Sequence, residues 1–419
     1  MRAVPQRVPQ RICATWAEAP GPATSALGPP AFSWEHPAGA LRASGYGEAA
    51  RREGAPLAAL LGDLEEAVAW PGDAPEPPGP WFGAIAFDRA RPLGEQWRGF
   101  AAARWTLPAL LCWSHGGQHF AAAFGDGCEE RLSNALATLR EGGAARPSVA
   151  LRARVVPQAG ERERWSGLVL RALDAIERGE LDKVVLARAL RVTAEGPIDP
   201  AAVLEALAAR NPGCRTFLLR GDDGTAFLGS TPEMFCRIDG SLLRTEALAG
   251  SARPGDGEAL LGRPKELREH AWVVDHIARG LAGIATAVQR RPAPDLRELA
   301  NVVHLVTPLS ARLAAGRSVA DVVEALHPTP AVAGVPTAAA LRFLAAHEPI
   351  ERGLYAGLVG MIGPGRAELS VALRSALVDG AGARLFVGAG IVRGSSPDGE
   401  WAETELKSRA LLDALGVPS

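Results

Sequence analysis

The amino-acid sequence reads as an α+β protein. Short apolar runs bounded by turn residues follow one another directly, and amphipathic helical patterns stand between groups of them rather than after each one. The chain has 419 residues, enough for one large unit or two to three smaller ones.

Residues 1–50 are rich in Ala, Pro and Gly with weak periodicity and support a short strand or two. Pro71–Pro80 (PGDAPEPPGP) reads as a loop, because its five prolines remove amide donors and fix φ. Trp81–Phe87 (WFGAIAF) and Trp105–Cys112 (WTLPALLC) read as buried strands. A soft boundary lies at Gly142–Gly160, so that residues 1–155 and 156–419 form two parts.

Beyond it, Trp165, Leu168, Val169, Ala172, Leu173 and Ile176 recur at helical spacing, and Gly179 ends that helix. LDKVVLARAL is a strand and Ala202–Arg210 a helix. Strand-like runs follow near Phe217–Leu219, Ala226–Gly229, Met234–Ile238 and Leu242–Ala247. Lys265–Leu281 is a long helix, Val302–Thr307 a strand, and Ser318–Leu326 and Thr337–His347 are helices. Tyr355–Met361, Glu368–Leu377 and Arg384–Ile391 are strands, before a last helix from about Glu400.

Lys plus Arg number 45 and Asp plus Glu 47, giving a net charge of −2, which offers no basic excess for a nucleic-acid backbone. No stretch approaches the ~18 apolar residues of a membrane span, and the first thirty residues lack the apolar core of a secretory signal. Five cysteines, odd in number and without a C-x-x-C pair, speak against a disulfide framework or structural zinc and for a reducing, cytoplasmic setting.

Several polar residues fall where apolar ones are expected. Glu400, Glu403 and Lys407 share one face of the last helix, continuing into Ala410 and Leu411. They are either a solvated cluster or acids that meet a cation or substrate. Glu269 stands four before Val273 and eight before Ile277, on the inward side of its helix, where it is either hydrogen-bonded to backbone or half of a site for a hard divalent cation. Lys183 opens the strand KVVLAR, its ammonium in water at the strand mouth or its amine desolvated to act as a base. Glu233 follows a Ser-Thr-Pro turn, where an acid can be aimed into a cleft or left on the surface. Arg374, sharing a strand face with Ser370 and Ala372, is an anion clamp or a salt-bridged edge residue. Gly388-Ala389-Gly390 is a weak match to a dinucleotide fingerprint, and its glycines can instead let backbone approach a carboxylate.

In this order the segments DKVVLAR, GSTPEMF, RTEALAGSARPG, KELREH, VVHLVT, LHPTPAVAG, RGLYAGLVG, VALRSAL and VGAGIVRGSSPDGEWAETELK resemble the chorismate-utilising enzymes, over roughly residues 160–415. Before residue 150 the likeness is faint, in WFGAIAFD and LPALLCW. The resemblance implies one large α+β unit of two packed antiparallel sheets with helices outside. Residues 1–155 would be its divergent N-terminal part and 156–419 the chorismate-binding catalytic core.

It also implies Mg²⁺-dependent chemistry on chorismate, with Glu269 and Glu403 as metal ligands and Glu400 beside the metal's water. Arg374 and the Gly388 backbone would contact substrate carboxylate, and Thr245, Gly250, Ser251, His304 and Lys407 would line the pocket. Lys183 marks the members that add water, where it would act uncharged as general base at ring C2 while protonated Glu233 serves the departing C4 hydroxyl. Ala331 stands where salicylate synthases typically carry threonine, so the resemblance favours isochorismate synthase, serving menaquinone or siderophore assembly. Salicylate synthase and an amine-forming synthase are the alternatives; Tyr355 occurs in several branches. Glu266, Arg263 and Pro264 depart from the family's usual residues before the inward acid. The expected partner is chorismate alone, without nucleic acid or membrane, and a monomer is compatible with the sequence.

Overall fold

The computed structural model describes residues 12–20, 24–54, 56–66, 68–69, 79–142, 152–299 and 302–418. Most of the Pro71–Pro80 loop lies outside them. Among the described residues, one sheet has 13 strands and a second has 10. The pairings are antiparallel except for a short parallel contact of Ile12–Glu18 with Val68–Ala69 at one edge. The sheets share one apolar core, where Phe32 of the larger stacks on Phe82 of the smaller with ring centroids 3.4 Å apart.

The first part of the chain extends both sheets. Phe32–Glu35 pairs with Arg215–Arg220 in the larger sheet, and Trp81–Ile85 pairs with Leu358–Gly363 in the smaller. Among the described residues three strands, Ile12–Glu18, Phe32–Glu35 and Leu41–Tyr46, lie within residues 1–50 and a fourth, Ala50–Glu53, starts there, where the sequence supported one or two. Their pattern is weak because each is short and borrows stability from partners distant in sequence. Trp105–Cys112 divides at Pro108, which has no N–H for the ladder, into Ala103–Leu107 and Leu110–His115.

Two longer expected runs break at the places that matter most. Glu368–Leu377 is two strands, Arg366–Val371 of the smaller sheet and Ser375–Asp379 of the larger. The chain turns between them at Arg374, whose φ of 46° belongs to no strand, so Arg374 does not share a strand face with Ser370 and Ala372. Ala226–Thr231 of the larger sheet likewise passes through Pro232 and Glu233 into Met234–Asp239 of the smaller. Tyr355 also lies just before its strand, which starts at Leu358.

The helices bury one stripe each. Pro264–Ala282 packs Val273, Val274, Ile277 and Leu281 inward against the smaller sheet, and Pro397–Ala414, capped by Ser396, lies on the Gly382–Val392 strand.

One buried carboxylate pins the sheets together. Glu368 of the smaller sheet lies 2.7 Å from Arg215 Nε and 2.9 Å from His36 Nε2, both from the larger-sheet side. Burial alone raises a carboxyl pKa, but the His36 and Arg215 contacts outweigh it and hold Glu368 at about 2. A depressed folded-state pKa stabilises above the unfolded value of 4.5 and is lost as pH falls towards 2. Glu368→Gln is therefore expected to flatten the loss of stability across that window and to cost about 3 kcal/mol near neutrality, read from denaturant midpoints against pH.

Candidate functional site

Between the sheets, where the two crossings meet, lies a cavity holding about 1110 Å³ of empty space, its mouth included. The crossings are laced together. Thr231 Oγ1 donates to the Val371 carbonyl at 2.6 Å, Val371 N donates to Glu233 O at 3.1 Å, and Ser230 N donates to Arg374 O at 3.2 Å. Glu233 and Arg374 are thus fixed side by side in the chain path although 141 positions of sequence numbering separate them.

Of the candidate residues, Lys183, Glu233, Gly250, Ser251, Glu269, His304, Ala331, Tyr355, Arg374, Gly388, Glu400, Glu403 and Lys407 all line this cavity. Thr245 does not. It is buried in the Leu242–Ala252 strand, and its hydroxyl donates to the Phe235 carbonyl at 2.6 Å. The strand reaches the cavity only further along, at Leu248–Ser251, where a bulge falls at Gly250, whose φ of 76° is left-handed and suits glycine.

Lys183 is only 3% exposed, so its head group is not in bulk water. Its Nζ stands 3.5 Å from Glu269 Oε2. The side chain runs across Gly390 of the neighbouring strand, where a Cβ would come within 3.1 Å of Lys183 Cε. Gly388 is the first glycine of the G-x-G. A Cβ there would come within 2.9 Å of the Tyr355 hydroxyl, and the bare backbone lets Lys407 Nζ donate to the Gly388 carbonyl at 3.2 Å. These glycines make room for side chains of the site.

Glu233 is 5% exposed. Burial, then the charge of Glu246, pushes its carboxyl up to about 8, against the opposing pull of Lys183, Lys407 and Arg297. Glu246 is itself held by Arg297 at 2.5 and 2.8 Å. His304 is driven down to about 3 by burial and by the Arg374 guanidinium, so its ring is neutral at ordinary pH. Arg374 Nη2, 3.4 Å from His304 Nε2, can only donate, which assigns the ring proton to Nδ1. Nδ1 then faces Ser251 Oγ at 3.0 Å and the Gly250 carbonyl at 3.3 Å. Arg374 has Cys214 Sγ at 3.9 Å as its other partner, and burial pulls its pKa down. A desolvated guanidinium facing neutral groups favours an anion in the cavity.

The acids come from both helices. Burial, then Glu403, raises the pKa of Glu400. Burial also acts upward on Glu403, but Lys407, 2.6 Å away, and Lys265 bring it below the ordinary carboxylate value. Among the described residues no three His, Cys, Asp or Glu side chains converge into a preformed metal cage. The donor chemistry nevertheless fits a hard cation. Mg²⁺ needs one or two carboxylates and otherwise takes water or substrate oxygens. Buried Glu400, its proton affinity raised by Glu403, is an acid that a cation would relieve.

Sequence reading missed Arg352, Lys265, Val332 and Leu373 in the lining. Arg352 lay inside the quoted RGLYAGLVG, four after Glu348, yet past the end of any helical pattern that would have paired them.

The cavity is walled by both sheets and brings together an inward lysine, a high-pKa glutamate, an arginine facing neutral groups and acids from two helices. The family model for chorismate binding enzymes matches residues 63–416, and the chain belongs to that family. It is 36% identical over 353 residues to the salicylate biosynthesis isochorismate synthase of Pseudomonas aeruginosa, covering 80% of this chain and 74% of that protein. It is 33% identical over 360 residues to the isochorismate synthase MenF of Bacillus subtilis, with coverage again of 80% and 74%. The solved structure of MenF, the menaquinone-specific isochorismate synthase from Escherichia coli, superposes with a TM-score of 0.80 at 30% identity, covering 98% of this chain and 96% of that one. The enzymes of this family are in general metal-dependent. No described helix is long and apolar enough to cross a membrane.

The raised Glu233 pKa gives a direct test. The carboxyl is protonated in the fold up to about pH 8 but ionised in the unfolded chain above 4.5, so its burial costs stability as pH rises between those values. An infrared carboxylic-acid band that persists to about pH 8 and is missing in Glu233→Gln is the expected result.

Proposed function

We propose that the chain is an isochorismate synthase that interconverts chorismate and isochorismate, adding water at ring C2 as the C4 hydroxyl departs. The observation that carries the reading is that Lys183 and Glu233, both buried, line one cavity, near enough for the Lys183 charge to oppose the rise in the Glu233 pKa. Lys183 takes a proton from the attacking water. Glu233, protonated at neutral pH, gives its proton to the leaving hydroxyl, which departs as water. The proton gained by one group and the proton lost by the other balance, and the reverse reaction exchanges the roles.

Arg374 meets a substrate carboxylate, and the neutral His304 keeps the guanidinium in place without adding a competing charge. Ser251, Gly250 and the Gly388 backbone border the same space. Glu269, Glu400 and Glu403 would hold Mg²⁺, which when bound supplies orientation and charge neutralisation for the ring carboxylate. Ala331 in the wall supports a product that stops at isochorismate. The five free cysteines support a cytoplasmic setting.

The decisive experiment is chromatographic product analysis with chorismate and Mg²⁺, with and without ammonium. Isochorismate independent of ammonium is expected; salicylate or an amine product overturns the reading. Lys183→Ala is expected to lower turnover about 10²–10⁴-fold while chorismate still binds, and an unchanged rate removes the base. Because even residues that only orient metal ligands contribute 10–100-fold in affinity, Glu403→Gln should raise the Mg²⁺ needed for half-maximal rate at least about tenfold. An unaltered magnesium titration would count against the ligand role.

A further inference from the structure

The strand that carries Lys183 is incompletely paired. Along one side Gly382–Val392 matches it throughout. Along the other, Gly334–Val335 pairs only with Lys183 and Val184, and Ala153–Val156 only with Arg191–Ala194. Buried backbone groups between these two short partners need other hydrogen-bond partners. The Val185 amide finds the Ala333 carbonyl at 2.8 Å, and the Ala189 carbonyl accepts from Gln158 Nε2 at 3.2 Å.

Two further groups between them, a carbonyl and an amide, go to one ion pair. Arg352 Nη2 donates to the Val185 carbonyl at 2.6 Å, and the Ala187 amide donates to Glu348 Oε2 at 2.8 Å. Arg352 and Glu348 hold each other through Nε–Oε1 at 2.6 Å and Nη2–Oε2 at 2.8 Å, with both side chains 4% exposed. Arg352 Nη1 also donates to the Val332 carbonyl at 2.8 Å, next to Ala331, and its own carbonyl accepts the Tyr355 amide at 2.9 Å. The side-chain pair therefore completes a carbonyl and an amide of the Lys183 strand and ties that strand to the Ala331–Val332 loop.

We propose that Glu348 and Arg352 are positioning residues of the reaction, fixing the Lys183 strand against the Ala331–Val332 loop. The role rests on Lys183 as the base. A buried pair of this kind is replaceable for stability by apolar side chains of similar volume, but only a fork of donors facing a carboxylate can complete both a carbonyl and an amide of one strand. Displacing a reacting group by about 1 Å costs on the order of 100-fold in rate.

The test compares Glu348→Gln and Arg352→Lys with the unmodified chain in the presence of chorismate and Mg²⁺. Both variants are expected to lose on the order of 100-fold in kcat with KM changed less than about threefold, because geometry rather than substrate contact is lost. Hydrogen exchange by mass spectrometry should show faster exchange in the peptide spanning 183–190 while the remaining strands keep their protection. Unchanged kcat, a loss that merely tracks the fraction of unfolded protein, or a KM rise at constant kcat overturns the proposal. If one variant does not fold, the other decides. No turnover by the unmodified chain overturns the activity reading instead, and the exchange of residues 183–190 then decides whether the pair holds the strand.

Discussion

The site depends on two places where the backbone leaves one sheet for the other. Pro232–Glu233 and Arg374 are those crossings, and they are tied by hydrogen bonds from Thr231, Val371 and Ser230. A strand interior cannot aim a side chain along the gap between sheets, because alternation sends it to one face or the other. A crossing can. The acid and the buried arginine therefore sit where the ladder stops, and the left-handed backbone of Arg374 is the local cost of that placement.

Around this frame the charges are arranged so that few are free. Arg297 neutralises Glu246, Lys407 meets Glu403, and Arg352 meets Glu348. Among the groups that are shifted, two bear directly on the charge of the cavity. Glu233, desolvated and near Glu246, keeps its proton at neutral pH, and His304, desolvated and beside Arg374, does not gain one. A neutral acid and a neutral imidazole leave Arg374 as the feature that attracts an anion. The direction of each shift follows from burial first and neighbouring charge second.

Much of this was legible in the sequence where a polar residue interrupted an apolar period. Glu269 on the inward stripe of its helix, and Glu400, Glu403 and Lys407 on one face of theirs, are lining residues in the structure because a helix fixes the angle between positions three, four and seven apart. Lys183 was legible as a strand residue but not as a buried one. What shuts it from water is Glu269, Gly390 and the loop from a distant part of the chain. Thr245 shows the opposite error: it is close in sequence to cavity residues but lies short of them along its strand, its hydroxyl taken up by the Phe235 carbonyl. The early strands were hard to read because their pairing extends to Arg215–Arg220, far along the chain, and the Glu348–Arg352 pair because Arg352 lies past the end of the helical pattern that holds Glu348.

By itself the sequence determined the α+β class, most helices and strands of the second part, and the identity of the acids and bases, because hydrophobic period and residue chemistry are local properties. Only the tertiary structure decided that the first part completes both sheets, that Glu368–Leu377 changes sheet at Arg374, and that Glu233 holds its proton. Desolvation and charge proximity are properties of what surrounds a residue, and residues separated by a hundred positions supply those surroundings only once the two sheets have closed on each other.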